Sequence, residues 1–231
     1  MKFKSACCGE EILKGEEGGI CFNYCSKCNY PCVIQFPSGF RASEELNSVN
    51  EAIKSCDKCN EAIKTRELGR PFIGYGSPNA KVMFIGERPG FQDNKTGVVF
   101  TGNRSGRKFC EMLLKAKIDF ASVYTTNIVK CQTAGNRKPD EEETLNCCSY
   151  LWKEIEIISP KLIVCLGTVP FNFFFDDKGS YKYRNKIFEE EVLPGKKFKF
   201  LLVYHPAYIC RTGSKHEEEY LKIFKTIKKY I

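Results

Sequence analysis

Fourteen cysteines stand in 231 residues, and their spacing is the first chemistry the chain offers. Cys7, Cys8, Cys21, Cys25, Cys28 and Cys32 crowd its start. Cys25-x2-Cys28 can present two thiolates to one tetrahedral Zn²⁺, and Cys7 with Cys8 supplies the best second pair, with Cys32 or Cys21 competing for the fourth place. Such a site would fold a segment too small to have a core of its own. A second constellation joins Cys56-x2-Cys59 to two lone cysteines, Cys131 and Cys147. Zinc sites of four thiolates usually unite two close pairs. One pair with two separate cysteines suits a cubane of iron and sulfide better, although spacing alone leaves both metals open. Cys110, Cys148, Cys165 and Cys210 read as buried or spare thiols. In a reducing cytosol, clusters of this kind are metal ligands rather than disulfides.

The elements that must hold these residues follow from hydrophobic patterning. Four strand-length apolar runs cover 81–86, 122–129, 161–167 and 199–205. Helical patterns lie near 104–118, 140–158 and 168–175, with a last helix at 215–230 whose stripe is Tyr220, Phe224, Ile227 and Ile231. Continuous apolar strands alternating with helices predict an α/β fold, three αβα layers around a mostly parallel four-stranded sheet. Residues 1–42 form a zinc-ribbon-like segment and residues 43–231 the main domain. In such a sheet, working residues sit past the carboxyl ends of the strands. That points to 87–94, 127–131, 167–168 and 205–211.

Composition narrows the class. Lys and Arg number 36 against 28 Asp and Glu, a net charge of +8 that suits either a polyanionic partner or a solvated lysine surface. Hydrophobic residues at 42% exclude a disordered chain. No apolar run approaches the ~20 residues that span a bilayer, and the start lacks the apolar stretch of a secretory leader. The expectation is a soluble, cytoplasmic monomer with no membrane partner.

The expected edge carries Gly86-Glu87-Arg88-Pro89-Gly90, Asn94-Lys95-Thr96-Gly97, Thr126-Asn127-Ile128-Val129-Lys130-Cys131 and Tyr204-His205-Pro206-Ala207. Together these stretches resemble the uracil-DNA glycosylase superfamily, specifically its iron–sulfur families four and five. Gly86-Glu87-Arg88-Pro89-Gly90 looks like the Gly-Glu-Ala-Pro-Gly motif of family four. Asn94-Lys95-Thr96-Gly97 and Phe100-Thr101-Gly102-Asn103-Arg104-Ser105-Gly106 look closer to family five. Thr126-Asn127-Ile128-Val129-Lys130-Cys131, Asn136-Arg137-Lys138-Pro139 and Cys147 match the cluster-bearing stretch of family four, and Tyr204-His205-Pro206-Ala207 stands where these families have His-Pro-Ser. The resemblance runs from about Cys56 to the C-terminus and leaves the zinc segment as an addition. It implies a structural 4Fe-4S cluster on Cys56, Cys59, Cys131 and Cys147.

The resemblance also implies roles. The reaction would be hydrolysis of the N-glycosidic bond of a pyrimidine flipped out of DNA, leaving an abasic site. His205 would donate to the leaving base, Asn127 would read one pyrimidine edge, Phe100 would stack on the base, and Gly86 and Arg88 would complete the base-binding set. Glu87, Asp93 and the neighbouring Asn94 are the candidates for positioning water or stabilising the cationic sugar. Arg104, Lys130, Arg137 and Arg211 are the cations for phosphate contacts.

Two departures widen the reading. Arg88 replaces a small residue, and Asp93 stands where family four usually has the longer Glu that crowds the C5 edge. Both suit a pocket admitting a bulky C5-modified pyrimidine of phage DNA, hence a defence glycosylase as the alternative to one acting on uracil. A reading of another class is a protein that has lost catalysis and kept DNA or modified-base binding.

Overall fold

Five consecutive buried residues, Val82–Gly86, give a strand with no solvent-facing side, and Leu162–Leu166 repeats the pattern. Such strands belong inside a sheet covered on both faces. They are the two innermost strands of the computed structural model, which describes residues 44–59, 62, 68–91, 93, 99–100, 103–175 and 180–231, and the backbone of 12–17 and 20–25.

In chain order the strands are β1 Ile12–Glu17, β2 Ile20–Cys25, β3 Leu68–Pro71, β4 Tyr75–Gly76, β5 Val82–Gly86, β6 Tyr124–Asn127, β7 Cys131–Thr133, β8 Leu162–Leu166, β9 Ile187–Leu193 and β10 Lys196–Val203. The helices are α1 Glu44–Lys54, α2 Arg104–Lys115, α3 Glu141–Ile158, α4 Thr168–Phe175, α5 Pro206–Thr212 and α6 Glu217–Ile227. The main sheet has the order β4-β6-β5-β8-β10-β9. Its inner strands β6, β5, β8 and β10 run parallel, as their apolar runs predict. Two antiparallel edge strands, β4 and β9, enlarge the expected four-stranded sheet to six. β4 has only two residues, and β9 carries exposed Glu189, Glu190 and Glu191, so neither shows an apolar run. Charges on an edge strand also discourage pairing with a second chain.

The alternation of β5 side chains sets the layers. Val82 and Phe84 join a core with Phe109 of α2 and Phe224 of α6. Met83 and Ile85 join the opposite core, with Leu151 and Ile155 of α3 and Phe171 of α4. Phe84 meets Phe109 edge-on at 5.0 Å and stacks on Phe224 at 5.9 Å. In α6 the stripe is buried at Tyr220, Phe224 and Ile227, but the helix ends there and Ile231 is exposed.

Local capping positions the helices nearest the sheet edge. The Asn103 carboxamide accepts from the Gly106 N–H and starts α2. Asp140 and Glu143 form a capping box that starts α3. A separate antiparallel pair, β3 with β7, sets Cys131 opposite Pro71. β1 and β2 form a hairpin that pairs Cys25 with Ile12 and Cys21 with Glu16. The other expected zinc ligands, Cys7, Cys8, Cys28 and Cys32, lie outside the described residues, as does Asn94. Among the described residues no helix is long and apolar enough to cross a membrane.

Candidate active site

The parallel strands deliver their last residues to one edge. Gly86 ends β5 and is the Cα partner of Asn127, which ends β6. The loop continues the pairing: the Ile128 N–H donates to the Gly86 carbonyl at 3.0 Å and the Val129 N–H to that of Glu87 at 3.1 Å. Beyond β8, Gly167 adopts φ +99 and its N–H donates to the Val203 carbonyl at 2.9 Å. A Cβ there would approach the His205 Cβ to 3.2 Å, so the glycine lets the loop after β10 sit close.

A pocket of about 640 Å³ opens on this edge, within the range of small-ligand sites. Glu87, Arg88, Asp93, Phe100, Arg104, His205 and Arg211 are among its lining residues. Behind the Phe100 wall, a Cβ on Gly86 would run into both Asn127 Oδ1 and the Phe100 ring. Phe100 reaches that position from a left-handed backbone conformation, φ +63, with its ring tilted against Phe109 at 5.2 Å. Asn127 is buried, and its Oδ1 has no hydrogen-bond partner among the described residues. A buried, unsatisfied acceptor is costly, and a ligand N–H would satisfy it.

His205 caps α5, its Nδ1 accepting from the Ala207 N–H at 3.1 Å. With that lone pair engaged, the neutral ring carries its proton on Nε2. Burial, with the charges of Arg211 and Arg88, pushes its pKa down to about 4. At neutral pH the residue is therefore an uncharged donor in a cationic setting.

The two carboxylates differ. Asp93 is buried; its Oδ2 accepts from the Gly90 N–H at 2.7 Å while its own N–H donates back to the Gly90 carbonyl at 3.0 Å. It anchors the loop as well as walling the pocket. Glu87 is partly exposed, with a carboxylate oxygen 3.9 Å from Arg88 Nε. It is the more open of the two.

The second cysteine constellation is assembled from three separate parts of the fold. Cys56 and Cys59 follow α1, Cys131 opens β7 and Cys147 lies in α3. Burial pushes the Cys131 thiol up to about 12, and the charges of Cys147, Cys56 and Cys59 add to it. Cys147 and Cys59 are raised by burial as well, each also feeling Cys56. The Lys130 N–H donates to Cys147 Sγ at 3.5 Å and Asn146 Nδ2 to Cys59 Sγ at 3.4 Å. Among the described residues no three metal-binding side chains are close enough to share a single ion. The four thiols are near enough to feel one another's charge, and four thiolates are the donor set that a multi-iron cluster takes.

A family model for the uracil DNA glycosylase superfamily matches residues 73–228. The chain belongs to that superfamily. It is 35% identical over 189 residues to a type-4 uracil-DNA glycosylase of Archaeoglobus fulgidus, covering 80% of this chain and 92% of the relative. A type-4 uracil-DNA glycosylase of Thermotoga maritima is 33% identical over 76% of this chain and 88% of its own length. A type-5 uracil-DNA glycosylase of Pyrobaculum aerophilum is 31% identical over 60% of this chain and 66% of its own length.

For this member of the superfamily, the four cations expected to meet phosphates separate into different roles. Arg104 and Arg211 are exposed and line the pocket mouth. Arg137 pairs through both terminal guanidinium nitrogens with Glu143, Nη1 reaching Oε2 at 2.9 Å. Lys130 must be corrected: its side chain is 2% exposed and paired inside the fold with Glu154 at 2.7 Å, so it cannot reach a phosphate. Its place in the sequence, directly after an apolar run, looks like a strand end, but the loop turns the side chain inward.

Arg88 also takes a different part. Its Nε donates to the Arg137 carbonyl at 2.8 Å, its Nη1 to Asn136 Oδ1 at 3.1 Å, and its Nη2 to the Asn136 carbonyl. The guanidinium, whose Nη1 also donates to the Pro89 carbonyl at 3.3 Å, thus clamps the loop after β7. Phe91, which lines the pocket, was not singled out by sequence, and Asn136 and Asn103, also in the lining, stood in quoted motifs with no role of their own. An Asn three residues before Gly106 at the start of a helical pattern is a capping signal.

Proposed function

We propose that the chain is a monofunctional DNA glycosylase that hydrolyses the N-glycosidic bond of uracil flipped out of DNA. The observation that carries this is the pairing of a neutral His205 donor with an unpartnered Asn127 acceptor on one sheet edge. Uracil offers an N3–H for Asn127 Oδ1 and an O4 for its Nδ2, whereas cytosine reverses both. Phe100 supplies the stacking wall for the extruded base. His205 Nε2–H donates to O2, where negative charge gathers as the C1′–N1 bond breaks and its electron pair passes to the base. Water then bonds to C1′, oriented by Glu87, which takes up its proton. Arg104 and Arg211 meet the DNA backbone.

The four thiols Cys56, Cys59, Cys131 and Cys147 would hold a 4Fe-4S cluster. When bound, that cluster supplies cross-linking of α1, β7 and α3 and no step of the hydrolysis. The cysteine spacing of residues 1–42 supports a structural Zn²⁺ there. Arg88 and Asp93, on which the alternative of a bulky C5-modified substrate rests, also hold loops through their polar atoms.

The test is base release from duplex and single-stranded DNA carrying one uracil, with His205→Ala as control. Free uracil and an abasic site from the wild type alone support the reading. Silence with retained DNA binding favours the non-catalytic binding protein, and release only from hydroxymethylated or glucosylated phage DNA favours the defence enzyme.

A further inference from the structure

The end of β6 is backed by a buried ion pair. The Lys130 and Glu154 side chains are 2% and 0% exposed, with Nζ 2.7 Å from Oε2. An ammonium carries three donors. Here they meet three acceptors: Glu154 Oε2, Thr126 Oγ1 at 2.7 Å and the main-chain oxygen of Asn127 at 2.9 Å. Glu154 is matched in turn by the hydroxyls of Thr126 at 2.9 Å and Tyr124 at 3.2 Å.

Stability does not account for such a pair. Taking two charges out of water costs about as much as their attraction returns, and a well-packed apolar pair serves a core at least as well. What the pair does offer is orientation. The Asn127 Oδ1 has no partner of its own, so the amide's aim depends on its main chain. That main chain is tied to β5 through Gly86 on one side and to Lys130 Nζ on the other. Lys130 also donates its N–H to Cys147 Sγ, so the same residue borders the thiol site.

We propose that Lys130, held in place by Glu154, is a positioning residue that sets the angle at which Asn127 presents its amide to the pyrimidine. The inference rests on the glycosylase reading above, with Asn127 as the base reader.

A double-mutant cycle tests it, with kcat/KM for uracil release and Tm measured on wild type, Lys130→Met, Asn127→Ala and the double variant. Misaiming a base-binding group lowers kcat/KM by about 100-fold in the Lys130→Met protein. In the Asn127→Ala background the same change has no amide left to misaim, so the further loss stays below about threefold. Equal losses in both backgrounds would mean a structural role only and overturn the proposal. If Lys130→Met does not fold, Glu154→Gln, which keeps the shape but removes the charge that holds Lys130, replaces it in the cycle under the same criterion. A wild type that releases no uracil overturns the glycosylase reading itself, before any variant is compared. A wild type that releases uracil alongside an unimpaired Asn127→Ala overturns this inference alone.

Discussion

Gly86 and Asn127 face each other as Cα partners at the ends of adjacent parallel strands, and the missing Cβ of Gly86 is what gives the Asn127 amide its place. The same gap receives the edge of Phe100. Three residues, two ending adjacent strands and one in the turn before α2, thus meet at the place of one methyl group.

Gly86→Ala tests that relationship. Its methyl must displace either the amide or the ring, since overpacked side chains are forced off their preferred positions. The expected outcome is a loss of about 100-fold in kcat/KM for uracil release, with a destabilisation of about 1–3 kcal/mol in denaturant melts. Near-wild-type turnover would show that the base does not use this corner.

His205 predicts a particular pH profile. Its folded pKa of about 4 lies below the unfolded value of 6.5, so the folded protein favours the neutral ring. The stability this residue contributes is present above pH 6.5 and is lost as pH falls through about 4. Activity should stay level from neutral pH down to about 5 and decline as the ring protonates and the cationic form displaces the Ala207 bond. His205→Ala should lower kcat by about 100- to 1,000-fold with little change in KM. A kcat titrating near 6.5 would contradict the buried, cation-flanked placement.

Arg88→Ala should do two things. It frees Asn136 and Arg137 from their clamp, costing about 1.5–3 kcal/mol as hydrogen bonds to a charged group are lost. It also removes a positive charge near His205, which makes protonation easier and moves the acid limb of the pH–rate profile upward. An unmoved limb with a lowered Tm would leave Arg88 only its clamp.

The four thiols make a compositional prediction. Protein purified without air should be brown and contain about four iron and four sulfide per chain, the stoichiometry of a cubane. Cys131→Ala should abolish the colour and lower Tm. Cys148→Ala should keep both, because the Cys148 thiol is turned to the Leu145 carbonyl within its own helix. Zinc in place of iron, with no visible absorbance, would overturn the cluster assignment.

Arg104 and Arg211 should each contribute about one unit to the slope of log affinity against log salt for DNA binding. Lys130→Met should leave that slope unchanged, because its ammonium is sealed beneath the pocket.

Much of this was legible in the chain alone. The parallel strands announced themselves because burial on both faces demands unbroken apolar runs such as Val82–Gly86 and Leu162–Leu166. The ends of those runs pointed to Glu87, Asn127 and His205, which the fold sets at one sheet edge, and the Cys-x2-Cys pair with two lone cysteines pointed to four thiols that the fold brings near one another, since ligand chemistry restricts residue type and spacing together. Edge strands β4 and β9 gave no such sign, because a strand with one neighbour need not be apolar. The tertiary structure alone decided which way long polar side chains point. Lys130, Arg137 and Arg104 read alike as cations beside motifs, yet one is buried on Glu154, one pairs with Glu143 and one faces the pocket. Their partners lie on other elements, as close as 6 residues along the chain for Arg137 and as far as 24 for Lys130. The charge state of His205 is decided the same way, by burial and by two arginines brought to it by the fold. Local sequence specifies what a side chain can do; distant packing specifies what it is left free to do.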